Sequence, residues 1–275
     1  MGDCDFAGSR SLTKRLFFLH IHKTAGTSVS RAIESALPDD STCPINFEYE
    51  YFAQKSFKNE HIENNYWQNK LSNYKFFRGH FGLEIRNRYF PDTLVLTFLR
   101  DPVERLISCY VFWLRQALNK GIPDNKQHLV ALKIRSMDFE EFVSSDDPDI
   151  VNATHNVQAR ILAGGQFGRA PDLRSQVIGP NLGISNILEH ALSFITSEHV
   201  LVGLNSQVDK ILEKLSEHFE ITIPKVQHLR KSSLQEKDRV VVTPKSLRRA
   251  NEITLLDREL FNFISNNKNI EPYHK

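Results

Sequence analysis

The stretch from Leu16 to Leu37, LFFLHIHKTAGTSVSRAIESAL, leaves the chain around it few choices. It begins as an apolar, aromatic run and breaks at a short polar loop holding Lys23, Gly26, Thr27 and Ser28. It then resumes with Val29, Ala32, Ile33 and Leu37 at helical spacing. The pattern is that of a strand, a loop and a helix. Such a turn leaves the first backbone N–H groups of the helix unpaired and aimed at the loop, where the helix dipole also favours negative charge. Gly26 admits close backbone approach, Thr24, Thr27 and Ser28 offer hydroxyls, and Lys23 brings a mobile ammonium. Phosphate or sulfate is the ligand these groups suit. The nucleotide-binding pattern G-x-x-x-x-G-K-[ST] is not met, because the lysine precedes the glycine and no earlier glycine stands at the required spacing, which disfavours a kinase or ATPase. The plain alternative is that Ser28 caps the helix and Lys23 is a solvated loop charge.

A second unit of the same kind follows. Leu94 to Arg100, LVLTFLR, is nearly continuous in apolar residues, as a central parallel strand should be. Asp101-Pro102 supplies an N-cap and a first-turn proline, and ERLISCYVFWLRQAL continues with good helix formers. Arg100 leaves the strand end, while Arg105 and Ser108, three apart, share one helix face. A guanidinium and a hydroxyl so placed could hold a second phosphate. Equally, Arg100 could pair with Asp101 or Glu104. Between the two units, YKFFRGHFG, from Tyr74 to Gly82, reads as a buried strand ending in a glycine-bracketed histidine. His80 would then stand at the carboxyl end of a strand, where open α/β sheets take their ligands.

With 275 residues and 40% hydrophobic content, the chain can bury the core of one domain spanning 1–275, with 1–14 as a flexible N-terminus. A net charge of +2, from 35 basic and 33 acidic residues, excludes a nucleic-acid or membrane binder driven by global charge, so any anion site is local. Cys4, Cys43 and Cys109 form no CxxC or Cys/His spacing, which argues against structural zinc and a disulfide framework. No signal-peptide or membrane-spanning run is present, and Phe6 stands where a myristoylation motif wants Ser or Thr.

Elsewhere, Pro38 to Asn73 reads as a surface excursion with at most a helical turn, and Asn119 to Lys133 as a loop. Met137 to Val143 reads as a short helix with Phe139 and Phe142 inward, stopped by Asp146-Asp147-Pro148. Thr154 to Gly165 is helical from Val157, with His155, Gln158 and Arg160 as polar members of the solvated kind. ISNILEHALSFIT is an amphipathic helix and HVLVGL, His199 to Leu204, a strand. Ser206 is the expected cap of the next helix, whose apolar stripe is Val208, Ile211, Leu212 and Leu215. One last helix is expected from Thr243-Pro244 to Phe263.

Two of these units match a known pattern. HIHKTAGTS resembles the phosphosulfate-binding loop of sulfotransferases, and RDPVERLISCY resembles their 3′-phosphate-binding segment, R-D-P-x-x-R-x-x-S-x-Y. The branch it looks most like is the carbohydrate type, which includes heparan sulfate 2-O- and 6-O-sulfotransferases and bacterial relatives. RGHFG is similar to the place where that branch carries its catalytic histidine, and HNVQARILAG and VGLNSQVDKILEKL resemble later segments. The likeness runs from about Leu16 to Phe263, strong at the two loops and weak between them.

This resemblance implies a P-loop-like three-layer α/β fold, a central parallel sheet flanked by helices. It implies the donor 3′-phosphoadenosine 5′-phosphosulfate (PAPS), with adenosine 3′,5′-bisphosphate as product and no metal. The expected reaction is in-line transfer to an acceptor hydroxyl, with His80 as general base and Lys23 stabilising the departing bisphosphate. Lys23, Thr24, Ala25, Gly26, Thr27 and Ser28 would hold the 5′-phosphosulfate, and Arg100 and Ser108 the 3′-phosphate. The acceptor is expected to be a sugar or polysaccharide, with His22, Arg78, His155 and Arg160 as candidate contacts, and no nucleic-acid partner. A cytoplasmic enzyme is expected; a Golgi-lumenal domain freed of its membrane anchor is the alternative. A nucleotide kinase, and a non-catalytic relative that binds a bisphosphonucleotide or polysaccharide, remain the competing readings.

Overall fold

In the computed structural model, which describes residues 15–44, 60–79, 83–118, 129–167, 177–178, 184–226 and 240–267, the core is a four-stranded parallel sheet. Its strands are β1 (Leu16–Leu19), β2 (Phe76–Gly79), β3 (Leu94–Leu99) and β4 (Val200–Leu204), in the spatial order β2-β1-β3-β4. β1 therefore lies between β2 and β3, with Leu16 opposite both Phe76 and Leu94. Every residue of β1, β3 and β4 is buried, which is why these runs read as continuously apolar rather than alternating. Buried Thr97 donates its hydroxyl to the carbonyl of Leu19 (3.0 Å), tying the end of β1 to β3 where the polar loop begins.

Besides the short helices Glu84–Tyr89 and Leu129–Lys133, the described helices are α1 (Gly26–Glu34), α2 (Glu60–Leu71), α3 (Pro102–Leu118), α4 (Phe139–Ser144), α5 (Pro148–Thr154) and α6 (Val157–Leu162). They continue with α7 (Ile184–Ile195), α8 (Val208–Phe219), α9 (Pro244–Ile253) and α10 (Leu255–Asn266). Successive strand residues point to opposite faces. Phe17, Leu19, Val95 and Leu99 pack with Trp67 of α2, Ile161 of α6, Ala191 of α7 and Leu260 of α10. On the other face Phe18, Leu96 and Phe98 meet Val29 and Ile33 of α1 and Ile211 and Leu215 of α8. The result is three layers. A third cluster joins Leu106, Cys109 and Trp113 of α3 to Phe139 and Phe142 of α4, Ile150 of α5 and Ile253 of α9.

Several elements differ from the sequence expectation. The excursion between Pro38 and Asn73 contains a full helix, α2, hidden because its described side chains offer only Trp67 and Leu71, four apart, to the core. Leu129–Lys133 is helical where a loop is expected. Asp147-Pro148 opens α5 as well as ending α4: the Asp147 carboxylate accepts the N–H groups of Asp149 and Ile150. Ser206 does not cap α8, and Asp209 instead accepts the N–H of Val226 at 3.0 Å. The last helix breaks at Thr254, whose buried hydroxyl donates back to the carbonyl of Ala250 at 2.7 Å, giving α9 and α10. Residues 1–14 lie outside the described part of the chain.

Candidate active site

β1 ends at Leu19 and α1 starts at Gly26, so six residues make the turn. Lys23 (φ 69°) and Ala25 (φ 78°) both adopt left-handed backbone that a side chain disfavours. The buried hydroxyl of Thr24 braces the loop by donating to the carbonyl of Ile21 at 2.9 Å. No side chain caps α1, and the carbonyl of Ala25 accepts from the N–H groups of Ser28 and Val29. Ser28 therefore lies inside the helix and is not its cap, and the helix start faces the loop without a side chain on it. Ala25 and Thr27 are exposed, while Lys23 and Ser28 are half-buried.

Gly26 is needed for a reason beyond ligand approach. A methyl group there would fall within the imidazole of His20. That ring stacks on Phe18 (5.5 Å between centroids, 11° between planes) and meets His22 edge-on at 6.4 Å, so it has little room to yield. The Lys23 ammonium sits 4.6 Å from the centroid of Phe112 on α3. The first loop is thus laid against the second unit.

In that second unit, Arg100 follows β3 directly. Its guanidinium reaches the carbonyl of Lys23 (3.5 Å) through one terminal nitrogen and the carboxylate of Glu104 (3.3 Å) through Nε. Asp101 caps α3 by accepting the N–H of Glu104 at 3.0 Å, and its other oxygen accepts from Arg258 at 2.5 Å. Burial pushes the Asp101 carboxyl upward, but the Arg258 hydrogen bond, the N–H groups of Glu104 and Val103, and the Arg258 charge hold it below the usual carboxylate range. Ser108 is half-buried on α3. Arg105 does not join Ser108 at an anion site: only 1% exposed, it turns inward to the Sγ of Cys109 and the carbonyl of Thr154, each at 3.4 Å.

The residue that sequence reasoning misses is Gln158. It is fully buried on α6, its Oε1 accepting the N–H of Arg100 (2.9 Å) and its Nε2 donating to the carbonyl of the same residue (3.0 Å). The signal was present: Gln158 is three and four residues before Ile161 and Leu162, on their inward stripe. Behind it, α6 and α10 cap each other. Asp257 of α10 accepts the N–H of Ala159 (2.8 Å). Asn156, at φ 46°, accepts the N–H of Leu256 with its side chain at 2.9 Å. Complete burial pushes the Asp257 carboxyl up, against the pull of the Arg105 charge and the Ala159 hydrogen bond.

Three of the acceptor-side candidates have local partners. Arg78 pairs with Glu34 of α1. Arg160 donates to the carbonyl of Asn152 at 3.1 Å, closing the carboxyl end of α5. His155 has Nδ1 3.0 Å from the hydroxyl of Thr154, and its imidazolium is disfavoured by burial and then by the charges of Arg249 and Arg160. His80 lies outside the described residues; Gly79, its neighbour in sequence, pairs with Leu19 at the end of β1. Cys43 and Cys109 are both buried, burial raising the Cys109 thiol. Among the described residues no group of three His, Cys, Asp or Glu side chains could hold a metal ion, and no helix is long and apolar enough to cross a membrane.

Two cationic side chains therefore stand at the carboxyl ends of adjacent parallel strands, one beside an uncapped helix start and the other on a braced strand end. The geometry suits a ligand with two separated anionic groups. In comparison with known proteins, residues 10–264 match the model of the sulfotransferase family. No curated protein matches the chain.

Proposed function

This chain belongs to the sulfotransferase family, and from that premise we propose that it transfers the sulfuryl group of PAPS to an acceptor hydroxyl, that of a carbohydrate. The observation that carries this reading is the hydrogen bond from Arg100 to the carbonyl of Lys23. It joins the two loops that a donor with a 5′-phosphosulfate and a 3′-phosphate would have to span. The donor supplies the activated sulfuryl group; the chain's own residues supply charge, orientation and proton transfer.

In this proposal Lys23, Thr24, Ala25, Gly26, Thr27 and Ser28 receive the 5′-phosphosulfate. Thr24 takes part through its backbone N–H, since its hydroxyl proton is committed to Ile21. Arg100 and Ser108 receive the 3′-phosphate. An alcohol at neutral pH is a weak nucleophile, and His80 takes its proton as the new bond forms. Lys23 and the α1 start meet the negative charge that develops on the departing oxygen. The kinase alternative is weakened by the missing G-x-x-x-x-G-K-[ST].

The test is a thermal-shift titration with adenosine 3′,5′-bisphosphate, with 5′-AMP and ATP as controls. At a hundred times its dissociation constant a ligand adds about 2.7 kcal/mol, enough to raise Tm by several degrees. A shift specific to the bisphosphate and absent in Arg100→Ala is expected, together with loss of turnover but retained bisphosphate binding in His80→Ala. An equal shift with ATP, or none with any nucleotide, would overturn the donor assignment.

A further inference from the structure

Gln158 is a polar side chain with no exposure at all, in a helix that supplies no residue to the anion loops. Its amide makes the two hydrogen bonds that a neighbouring strand would make to Arg100, accepting from its N–H and donating to its carbonyl. Arg100 is the first residue past β3, where ladder pairing with β4 has ended at Leu99 and Leu204. Without the amide, both peptide groups of Arg100 would be free to rotate, and the guanidinium with them. The amide is itself held: its helix start is capped by Asp257 from α10, and α10 is capped in return by Asn156, two residues before Gln158.

We infer that Gln158 is a positioning residue for the donor's 3′-phosphate: it acts through Arg100 by fixing the Arg100 backbone, so that the guanidinium meets the phosphate in one orientation. The inference rests on the reading of Arg100 as the 3′-phosphate anchor. A bidentate arginine–phosphate contact depends on the angle of the guanidinium plane, so loss of backbone fixation is felt selectively by the group that arginine binds. It predicts a defect in recognising one phosphate, where a purely structural role would weaken every ligand alike.

The experiment measures dissociation constants for adenosine 3′,5′-bisphosphate and 5′-AMP, well below Tm, in the wild-type chain, in Gln158→Met and in Gln158→Glu. Methionine keeps the shape and removes both hydrogen bonds; glutamate keeps the acceptor for the Arg100 N–H and removes the donor. The preference for the bisphosphate should fall about tenfold in Gln158→Met, the size expected when one hydrogen bond to a charged group is lost. Gln158→Glu should lose part of that preference, and 5′-AMP affinity should stay within about twofold in both. Equal weakening of the two nucleotides, an unchanged preference, or failure of both variants to fold would overturn the inference and make Gln158 a folding residue. A wild-type chain that does not prefer the bisphosphate would instead overturn the donor assignment itself.

Discussion

The two strand–loop–helix units that meet at the carboxyl ends of the central strands are built on opposite plans. The first, from β1 to α1, is shaped by its own backbone: two non-glycine residues in left-handed geometry, an uncapped helix start, and one internal brace from Thr24. The second, from β3 to α3, is shaped by other parts of the chain. Asp101 caps its helix and is gripped by Arg258 of α10, while Gln158 of α6 holds Arg100 by both peptide groups. A loop whose backbone N–H groups face outward can wrap a ligand. One whose peptide groups are already bonded can only present a side chain at a set angle. In the proposed function, the first unit wraps the ligand and the second presents a side chain to it.

That contrast can be broken from the second unit first. Asp257→Ala removes the cap of α6 and leaves the buried N–H of Ala159 without its acceptor, and should destabilise the fold by about 1–3 kcal/mol, the range for an unsatisfied buried donor. Urea denaturation measures it; a loss below about 1 kcal/mol, the size of a helix cap, would mean that the second unit does not depend on this scaffold. Lys23→Met should do the reverse, lowering kcat by about a hundredfold with a stability change within about 1 kcal/mol, since a cation–π contact such as that with Phe112 is worth about 0.5–1 kcal/mol. If Lys23→Met unfolded the protein as readily as Asp257→Ala, the two plans would be one.

Asp101→Asn sharpens the comparison with a smaller effect, about 1 kcal/mol at neutral pH from a weakened cap and a lost partly buried ion pair. Its pH dependence has a definite sign. The folded carboxyl is held below its unfolded value near 3.9, so its contribution is fully present above that value and is lost as pH falls through the folded one. The stability difference between wild type and Asp101→Asn should therefore narrow in acid, below about pH 4. A gap that widens there would remove Arg258 as the cause.

How much of this was legible in the sequence follows the same division. Local chemistry was visible: the apolar runs of β1 and β3, the Asp101-Pro102 start of α3, and the inward stripe of α8 all rest on residues close in the chain. Resemblance to the sulfotransferase family, which the family match over residues 10–264 bears out, also marked the two loops on which the proposed function rests. What could not be read were contacts of long sequence separation. Gln158 bonds a residue 58 positions away, so its polarity was read as solvation, and Asp257, which bonds one 98 positions away, drew no reading at all. Arg105 failed similarly, since helical spacing put it beside Ser108 but could not show Thr154 on its other side. The helix α2 was missed because two buried side chains among its nine described ones leave almost no periodic signal.

The smallest expected effect tests the first unit's plan directly. Ala25 sits at φ 78° and is exposed, so its methyl group makes the strained geometry dearer without filling space in the core. For an L-residue that geometry costs about 1–2 kcal/mol, and glycine avoids most of it while adding about 0.4–1 kcal/mol of unfolded-chain entropy. Ala25→Gly should therefore raise stability slightly, by up to about 1 kcal/mol, or a Tm increase of about 2–4 °C. The same change frees the turn beside Lys23, so bisphosphate affinity should fall even as Tm rises, because a looser loop must be ordered by the ligand. Opposite signs in the two measurements would mean that the left-handed turn is held in place for binding at the expense of stability. A fall in both would mean that the Ala25 methyl group supports the loop by contact, and the first unit would then be held, like the second, by side chains.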